Sequence, residues 1–407
     1  MPMSDIIIAL NAGSSSIKLS VCHIQPDDTV DTLLAGHTDM TGPAPHFTLR
    51  DNKGILRAEQ RWNHADVPYA TVLGEILKQV DSTLGVRDIT AIGHRIVHGG
   101  PAHSQPEYIT PALVQALAAL TPLAPLHMPH NLEPIEALHT LRPDLPQVAC
   151  FDTAFHHNMP FCARSFALPH SYMEAGIRRY GFHGLSYEYI VQRLRQTAPH
   201  LATGRVIAAH LGSGASLCAI DNGKSIDTTM GFSPLDGLVM STRCGALDPA
   251  VVLYLQNNCQ MDTEAVRNLL YQHSGLLALS NGLSGDIRTL LASSTPEAAR
   301  AVEVFIYHIT REAAAMACAL GGVDALIFSG GIGENQPDIR ASVVQKLGWL
   351  GLRLDAEANT KGTGCISTAD SPVEIHIIPT DEDAMIALHT RDVLRSKGMW
   401  PRSGPEL

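Results

Sequence analysis

Short, continuous apolar runs, each followed by a cluster of small residues, set the rhythm of this chain. Ile6-Ile7-Ile8-Ala9-Leu10 leads into Asn11-Ala12-Gly13-Ser14-Ser15-Ser16, and Ile17-Lys18-Leu19-Ser20-Val21 then alternates apolar and polar positions. The pattern predicts strand, turn, strand. Far downstream the unit recurs: Val206 to His210, then Leu211-Gly212-Ser213-Gly214-Ala215-Ser216, then Leu217 to Asp221 and a hairpin signal at Asn222-Gly223. Laying one copy over the other sets Ser16 against Ser216 and suggests a duplicated domain.

Between and after the copies, helical periodicity over Ala112 to Leu120 and the apolar strand Gln147 to Phe151 give the alternation of an α/β fold. Ala325 to Phe328 reads as a strand, Ser329 to Asn335 as a glycine turn and the residues from Asp338 as a helix. Val373 to Ile378 is a strand, after which Asp381-Glu382-Asp383 opens a last helix.

The chain has 407 residues, 45% of them hydrophobic and 17% charged. That is a folded chain of a size that favours two domains. Its formal charge of -11 argues against nucleic acid or anionic membrane as a partner, so an anionic substrate must be met by local positive charge. The longest apolar stretch, Ala313 to Gly331, is broken by Asp324 and reads as a helix followed by a strand. The 8 cysteines are scattered without a C-x-x-C pair, which suggests neither a zinc site nor a disulfide framework. A reducing, cytoplasmic setting fits, and the first residues carry no signal-peptide pattern.

Three small-residue turns at strand ends are suited to phosphate, because glycine and serine let backbone N–H groups approach its oxygens closely. None is a P-loop: Gly223-Lys224-Ser225 has Cys218 where the first glycine should stand. Gly331-Ile332-Gly333 is no dinucleotide fingerprint either, since Gln336 occupies the third glycine position.

Asn11 to Lys18 resembles the first signature of the acetate kinase family. The segment Met230 to Leu238, continued by Ser241-Thr242-Arg243-Cys244-Gly245, is similar to its second. The likeness extends through His94 to Gly100, Phe151 to His156 and Tyr180 to Gly184, so it covers nearly the whole chain. It implies duplicated actin-like (ribonuclease H-like) domains facing across a nucleotide cleft. The expected division is 1–152 plus 386–407 against 153–385. Implied partners are acetate, ATP or ADP and Mg²⁺, with Mn²⁺ as a substitute, in a homodimer built through the second domain.

Residue by residue, the resemblance makes Arg95 the grip on the substrate carboxylate and phosphoryl group, a task suited to a guanidinium; a surface ion pair is its ordinary alternative. Arg243 stabilises charge on the transferring phosphoryl group, and His183 donates a hydrogen bond to it. Asp152 is catalytic by resemblance. Acetate is already ionised near neutral pH, so Asp152 would orient Arg95 or a metal-bound water rather than act as a base; helix capping is the alternative. His127 matches a family histidine but fits a structural role equally. Asn11 and Glu382 would hold the metal, although an acidic residue opening a helix also complements its dipole. Lys18 would reach the nucleotide phosphates.

Nucleotide contacts fall on His210, Leu211, Gly212, Ser213 and Gly214, on Asp286, Ile287 and Arg288, and on Gly331, Ile332, Gly333, Glu334 and Asn335. Ser213 stands where the family usually has Asn, and Ile287 where it usually has an aromatic or similar residue. Val97, two positions after Arg95 on an extended segment, would wall the pocket for the acetate methyl group. The implied reaction is direct in-line transfer between ATP and acetate. Propionate or butyrate as acceptor, or an acceptor-free ATPase on the same fold, are the rival readings.

Overall fold

The computed structural model describes residues 5–13, 16–40, 42–64, 67–85 and 89–400. Ser14 and Ser15 of the first turn lie outside the described residues. The chain forms two compact units, Met1–Ala154 with Asp381–Leu407, and Phe155–Thr380. The return to the first unit thus falls at 380/381, ahead of the expected 385/386, because the helix Glu382–Ser396 belongs to it whole.

In the first unit, β1 (Ile6–Ala12), β2 (Ser16–Ile24), β3 (Val30–Asp39), β4 (His46–Asp51), β5 (Leu56–Arg61), β6 (Ile89–Ile96), β7 (Glu107–Tyr108) and β8 (Gln147–Phe151) form one sheet in the order β5-β4-β3-β2-β1-β6-β8-β7. Ile6 to Leu10 are buried on both sides of the sheet, which is why that run is continuously apolar rather than alternating. Ile6, Ile8 and Leu10 pack with Val72, Ile76 and Val80 of the helix Tyr69–Leu84 and with Leu138 of the helix Met128–Leu141. The helix Glu382–Ser396 packs on β1, β2, β6 and β8.

The second unit has β9 (Arg205–Leu211), β10 (Ala215–Asp221), β11 (Lys224–Thr228), β12 (Ala325–Ser329), β13 (Gly364–Cys365) and β14 (Glu374–Ile377), ordered β11-β10-β9-β12-β14-β13. Asn222 and Gly223 both take positive φ in the β10–β11 turn, the conformation a tight hairpin demands. The helix Pro296–Leu320 packs against β10; its first turn is capped by Thr295, whose side chain accepts from the Ala298 N–H.

The repeat is visible strand by strand. The order β3-β2-β1-β6-β8, antiparallel up to β1 and parallel beyond it, recurs as β11-β10-β9-β12-β14. The overlay of Ser16 on Ser216 is corrected by register. Asn11 pairs with Lys18 and His210 pairs with Ser216, so Ser216 matches Lys18. The first turn is longer than the second by one residue, which shifts every side chain after it. The expected glycine turn also differs: Gly330–Asn335 is a short helix. Gly330 enters it at φ +74, where an added Cβ would meet the Leu211 carbonyl oxygen at 2.8 Å.

Candidate active site

Two constellations hold most of the expected residues, one in each unit. In the first, β1, β6 and β8 bring Asn11, Arg95 and Asp152 to the carboxyl ends of neighbouring parallel strands, where α/β sheets bind ligands. Arg95 Nε donates to Asp152 Oδ1 at 2.9 Å, and its Nη2 donates to Asp152 Oδ2. Its Nη1 donates to Asn11 Oδ1 at 3.2 Å, and Glu382 Oε2 lies 3.5 Å from Nε. Asp152 is 1% exposed while Arg95 keeps 19% of its side chain in contact with solvent. Burial opposes the Arg95 charge, but Asp152 and then Glu382 outweigh it and hold the guanidinium proton more firmly than usual. Asp152 therefore orients a fixed cation.

Lys18 is exposed opposite Asn11 on β2. Val97 is buried just past β6, and its N–H donates to Asn131 Oδ1 at 2.8 Å. Asn131 Nδ2 in turn donates to the Ala12 carbonyl at 2.9 Å, tying the first turn to the segment after Arg95. His127 precedes the helix Met128–Leu141 as its N-cap residue, without a side-chain cap bond. Asp381 caps the helix Glu382–Ser396 through a bond from the Ala384 N–H at 2.9 Å. Beside it Asp383 is half-buried and accepts from Ser20 Oγ at 2.5 Å. Burial pushes the Asp383 carboxyl up to about 6 against that bond, with Asp381 and Glu382 adding to the rise.

In the second unit His183 sits at φ 58 as the N-cap residue of the helix Gly184–Thr197. Its Nδ1 shares a hydrogen bond with Ser216 Oγ at 2.9 Å, and Ser216 shares another with the Tyr187 hydroxyl at 2.5 Å. The His183 ring stacks on His210, with centroids 4.2 Å apart. His210 Nδ1 bonds to Ser186 Oγ at 2.8 Å, and Thr380 Oγ1 donates to the same hydroxyl at 2.8 Å. A methyl group on Gly214 would lie 3.3 Å from His183 Nε2 and 3.7 Å from Arg243 Nη1, so the glycine loop, the histidine and the arginine meet at one point. Arg243 Nη1 also donates to the Pro234 carbonyl at 3.0 Å.

A cavity of about 500 Å³ opens in this unit, lined by Gly212, Ser213, Asp286, Ile287, Arg288, Gly331, Ile332 and Asn335, together with Ser241, Gly285 and Gln336. The first eight are expected nucleotide residues. Of the other expected ones, Lys18 lies in the first unit and His210 and Gly214 stand at the His183 site. Leu211 and Gly333 are buried, and Glu334 Oε1 accepts from the Thr380 N–H at 3.2 Å. Asp286 caps the helix Ile287–Ala292 and pairs with the exposed Arg288, an ion pair worth little in solvent.

Sequence reasoning missed Asn131, Asp383, Ser241 and Gln336, and above all Arg340. Arg340 is fully buried. Its Nη1 donates to the Gly333 and Glu334 carbonyls at 2.9 and 2.8 Å, its Nε to Asn359 Oδ1 at 2.8 Å and its Nη2 to the Asn359 carbonyl at 2.7 Å. It thereby fixes the end of the short helix on the cavity wall. The one available signal was an arginine on an otherwise apolar helix face, beside Ile339, Val343 and Val344.

The acetokinase family model matches residues 6–388. The acetate kinase of Rhodopseudomonas palustris is 49% identical over 395 residues, spanning 95% of this chain and 98% of its own. Among solved structures, a propionate kinase from Francisella tularensis is similar with a TM-score of 0.88 and 34% identity, over 96% of this chain and 100% of its own. An acetate kinase from Porphyromonas gingivalis follows with a TM-score of 0.85 and 34% identity, over 96% and 99%.

Proposed function

This chain belongs to the acetokinase family, and from that premise we propose that it transfers the γ-phosphoryl group of ATP to acetate, reversibly, giving acetyl phosphate and ADP. The observation that carries the reading is Arg95, a cation locked by a buried carboxylate at the end of a parallel strand. A guanidinium held this way keeps its geometry while an anion approaches, so little reorganisation is left for the reacting state.

In this reading Arg95 binds the acetate carboxylate and Asp152 holds Arg95 in place. His183 and Arg243 donate to the oxygens of the transferring phosphoryl group, and the glycine loop Gly212 to Gly214 presents backbone N–H groups to the nucleotide. Lys18 supplies a further charge to the phosphates. The adenosine occupies the cavity walled by Asp286 to Arg288 and by the helix Gly330–Asn335.

Asn11 Oδ1 and the Glu382 carboxylate are hard oxygen donors within 3.2 and 3.5 Å of the Arg95 head group. A donor set of that kind fits Mg²⁺ that keeps several of its waters. When bound, Mg²⁺ neutralises charge on the nucleotide phosphates. Replacing Glu382 by Ala should raise the Mg²⁺ concentration for half-maximal rate more than it raises the acetate KM.

We place the enzyme in the cytoplasm, as a homodimer assembled through the second unit. There the helix Pro249–Asn257 buries none of its residues and exposes Val251, Leu253 and Tyr254 beside exposed Leu247. Among the described residues no helix is long and apolar enough to cross a membrane. Sedimentation of the parent and of a Leu253→Glu, Tyr254→Glu variant tests the dimer; an unchanged sedimentation coefficient overturns this surface as its interface.

The reaction itself is tested by trapping acetyl phosphate as the hydroxamate and following ADP. Formation of both in step with added acetate is expected. ADP release that ignores acetate would instead indicate an acceptor-free ATPase. Propionate stays the nearest competing acceptor, since a similar solved structure is a propionate kinase.

A further inference from the structure

At the edge of the second sheet a set of side chains converges that the transfer reaction does not use. Cys365 on β13 stands directly across from His376 on β14. Glu374 precedes His376 by two residues, so all three project from the same face of the sheet. Cys365 Sγ, a Glu374 carboxylate oxygen and a His376 ring nitrogen all lie within 4.8 Å of one another. Glu374 is engaged on both oxygens: His376 Nε2 lies 2.8 Å from Oε2, and His200 Nε2 lies 2.7 Å from Oε1. A carboxylate only accepts, so both imidazoles donate here.

The plain alternative is a surface ion-pair cluster beside an exposed thiol. Two features favour more. The contact between Glu374 and His376 is a carboxylate and an imidazole sharing one proton, the pair of donors that a divalent ion bridges when it takes the proton's place. The third donor is a sulfur, supplied from the opposite strand. One ion at about 2.0–2.3 Å from sulfur, nitrogen and oxygen sets its donors roughly 3–4 Å apart. From within 4.8 Å of one another, the three donors reach that spacing by side-chain rotation.

We propose that Cys365, Glu374 and His376 form a zinc site clamping the β13–β14 edge, with water as fourth ligand and His200 holding the second oxygen of Glu374. On binding, the Cys365 thiol releases its proton to solvent, and the His376 ring proton moves from Nε2 to Nδ1 so that a neutral imidazole nitrogen meets the ion. Thiolate and imidazole select Zn²⁺ over Mg²⁺, whereas Asn11 and Glu382 offer only oxygen, so donor chemistry sorts the two ions. The ion would tie the outermost strand to β14 and raise the thermal stability of the folded chain with the logarithm of its free concentration above the Kd.

The test uses the full chain after treatment with a chelator. Co²⁺ is added as a spectroscopic probe, and Zn²⁺ affinity is read by competition with a chromophoric chelator. The parent should show a sulfur-to-cobalt charge-transfer band at one ion per chain, displaced by Zn²⁺, and a Tm that rises with Zn²⁺. Cys365→Ser should abolish the band. Cys365→Ser and His376→Asn should each weaken Zn²⁺ by more than the roughly 10- to 100-fold typical of an outer-shell partner. His200→Ala should fall within that range, and Cys259→Ser, at another exposed cysteine, should change nothing. Cys365 is itself exposed, so its metal-free Tm should match the parent, and His376→Asn serves as the second reading. Absence of the band in the parent, its persistence in Cys365→Ser, or equal Zn²⁺ affinity in parent and both ligand variants overturns the proposal.

Discussion

The same ladder positions in the two units carry opposite kinds of chemistry. Asn11 matches His210 because each stands one pair before the last pair closing its turn, Ala12 with Ile17 and Leu211 with Ala215. Continuing the register of β1 on β6 and of β9 on β12 matches Arg95 with Ser329, and the next strand matches Asp152 with Thr380. The first unit thus presents an amide, a guanidinium and a carboxylate. The second presents an imidazole and two hydroxyls, and buried Ser329 Oγ has no partner among the described residues. Duplication preserved where polar groups emerge and left their charge free to diverge. Charge at the ladder positions fits the proposed grip on a small anion, whereas in the second unit those positions carry no fixed charge and Arg243 supplies it from outside the sheet.

The largest expected effect separates these roles. Arg95→Ala and Arg243→Ala should each lower kcat by about 10³-fold or more. Only Arg95→Ala should also destabilise, by roughly 3–5 kcal/mol, because it leaves Asp152 buried without its cation. Adding Asp152→Asn should restore much of the Tm but none of the turnover. Equal loss of Tm in the two arginine variants would break the contrast between a cation locked by a buried carboxylate and one held by a backbone carbonyl.

Arg340→Met tests the neutral side. It strips donors from the buried carbonyls of Gly333 and Asn359 and from the half-buried one of Glu334, at roughly 1–3 kcal/mol for each buried group left unpaired. Steady-state kinetics should show the ATP KM rising while the acetate KM holds. If both rise together, Arg340 is a general stabiliser and not a support of the nucleotide wall.

Each unit also buries a histidine that burial pushes down to about 4, His94 in the first and His156 in the second. Between about pH 6.5 and 4 the unfolded imidazoles take protons that the folded ones refuse, so stability falls as the solution is acidified. The loss is on the order of 3 kcal/mol for each histidine. It should appear in thermal unfolding between pH 7 and 4.5, and His156→Gln should flatten the slope. An unaltered slope in that variant removes His156 from the account.

Val97→Ala is the smallest. It should shift kcat/KM toward propionate over acetate by about 10-fold and leave ATP kinetics unchanged. An unmoved ratio means that Val97 does not wall the acceptor pocket.

The sequence disclosed what short-range pattern encodes. The buried run Ile6 to Leu10, the Asn222-Gly223 hairpin and the helix after Asp381 all form where apolar periodicity and turn chemistry placed them. Register was harder to read, because one extra residue in the first turn is invisible to a strand pattern yet puts Lys18 rather than Ile17 opposite Asn11. The glycine run at 330–335 read as a turn since glycine disfavours helices, but Gly330 supplies only the left-handed entry and tertiary contacts hold the rest. Asn131, Arg340 and Asp383 were hidden for a different reason. Their partners Ala12, Asn359 and Ser20 lie far away along the chain.

The helix Glu382–Ser396 packs into the first unit although the whole second unit precedes it in the chain. A ribosome therefore delivers Glu382 and the cover for β1, β2, β6 and β8 after nearly everything else has been made. Until then the nascent first unit exposes one apolar face of its sheet and offers aggregation, or a chaperone, a surface to seize. The second unit can fold ahead of it, so during synthesis the chain passes through a stage with a finished second sheet and an unfinished setting for Arg95.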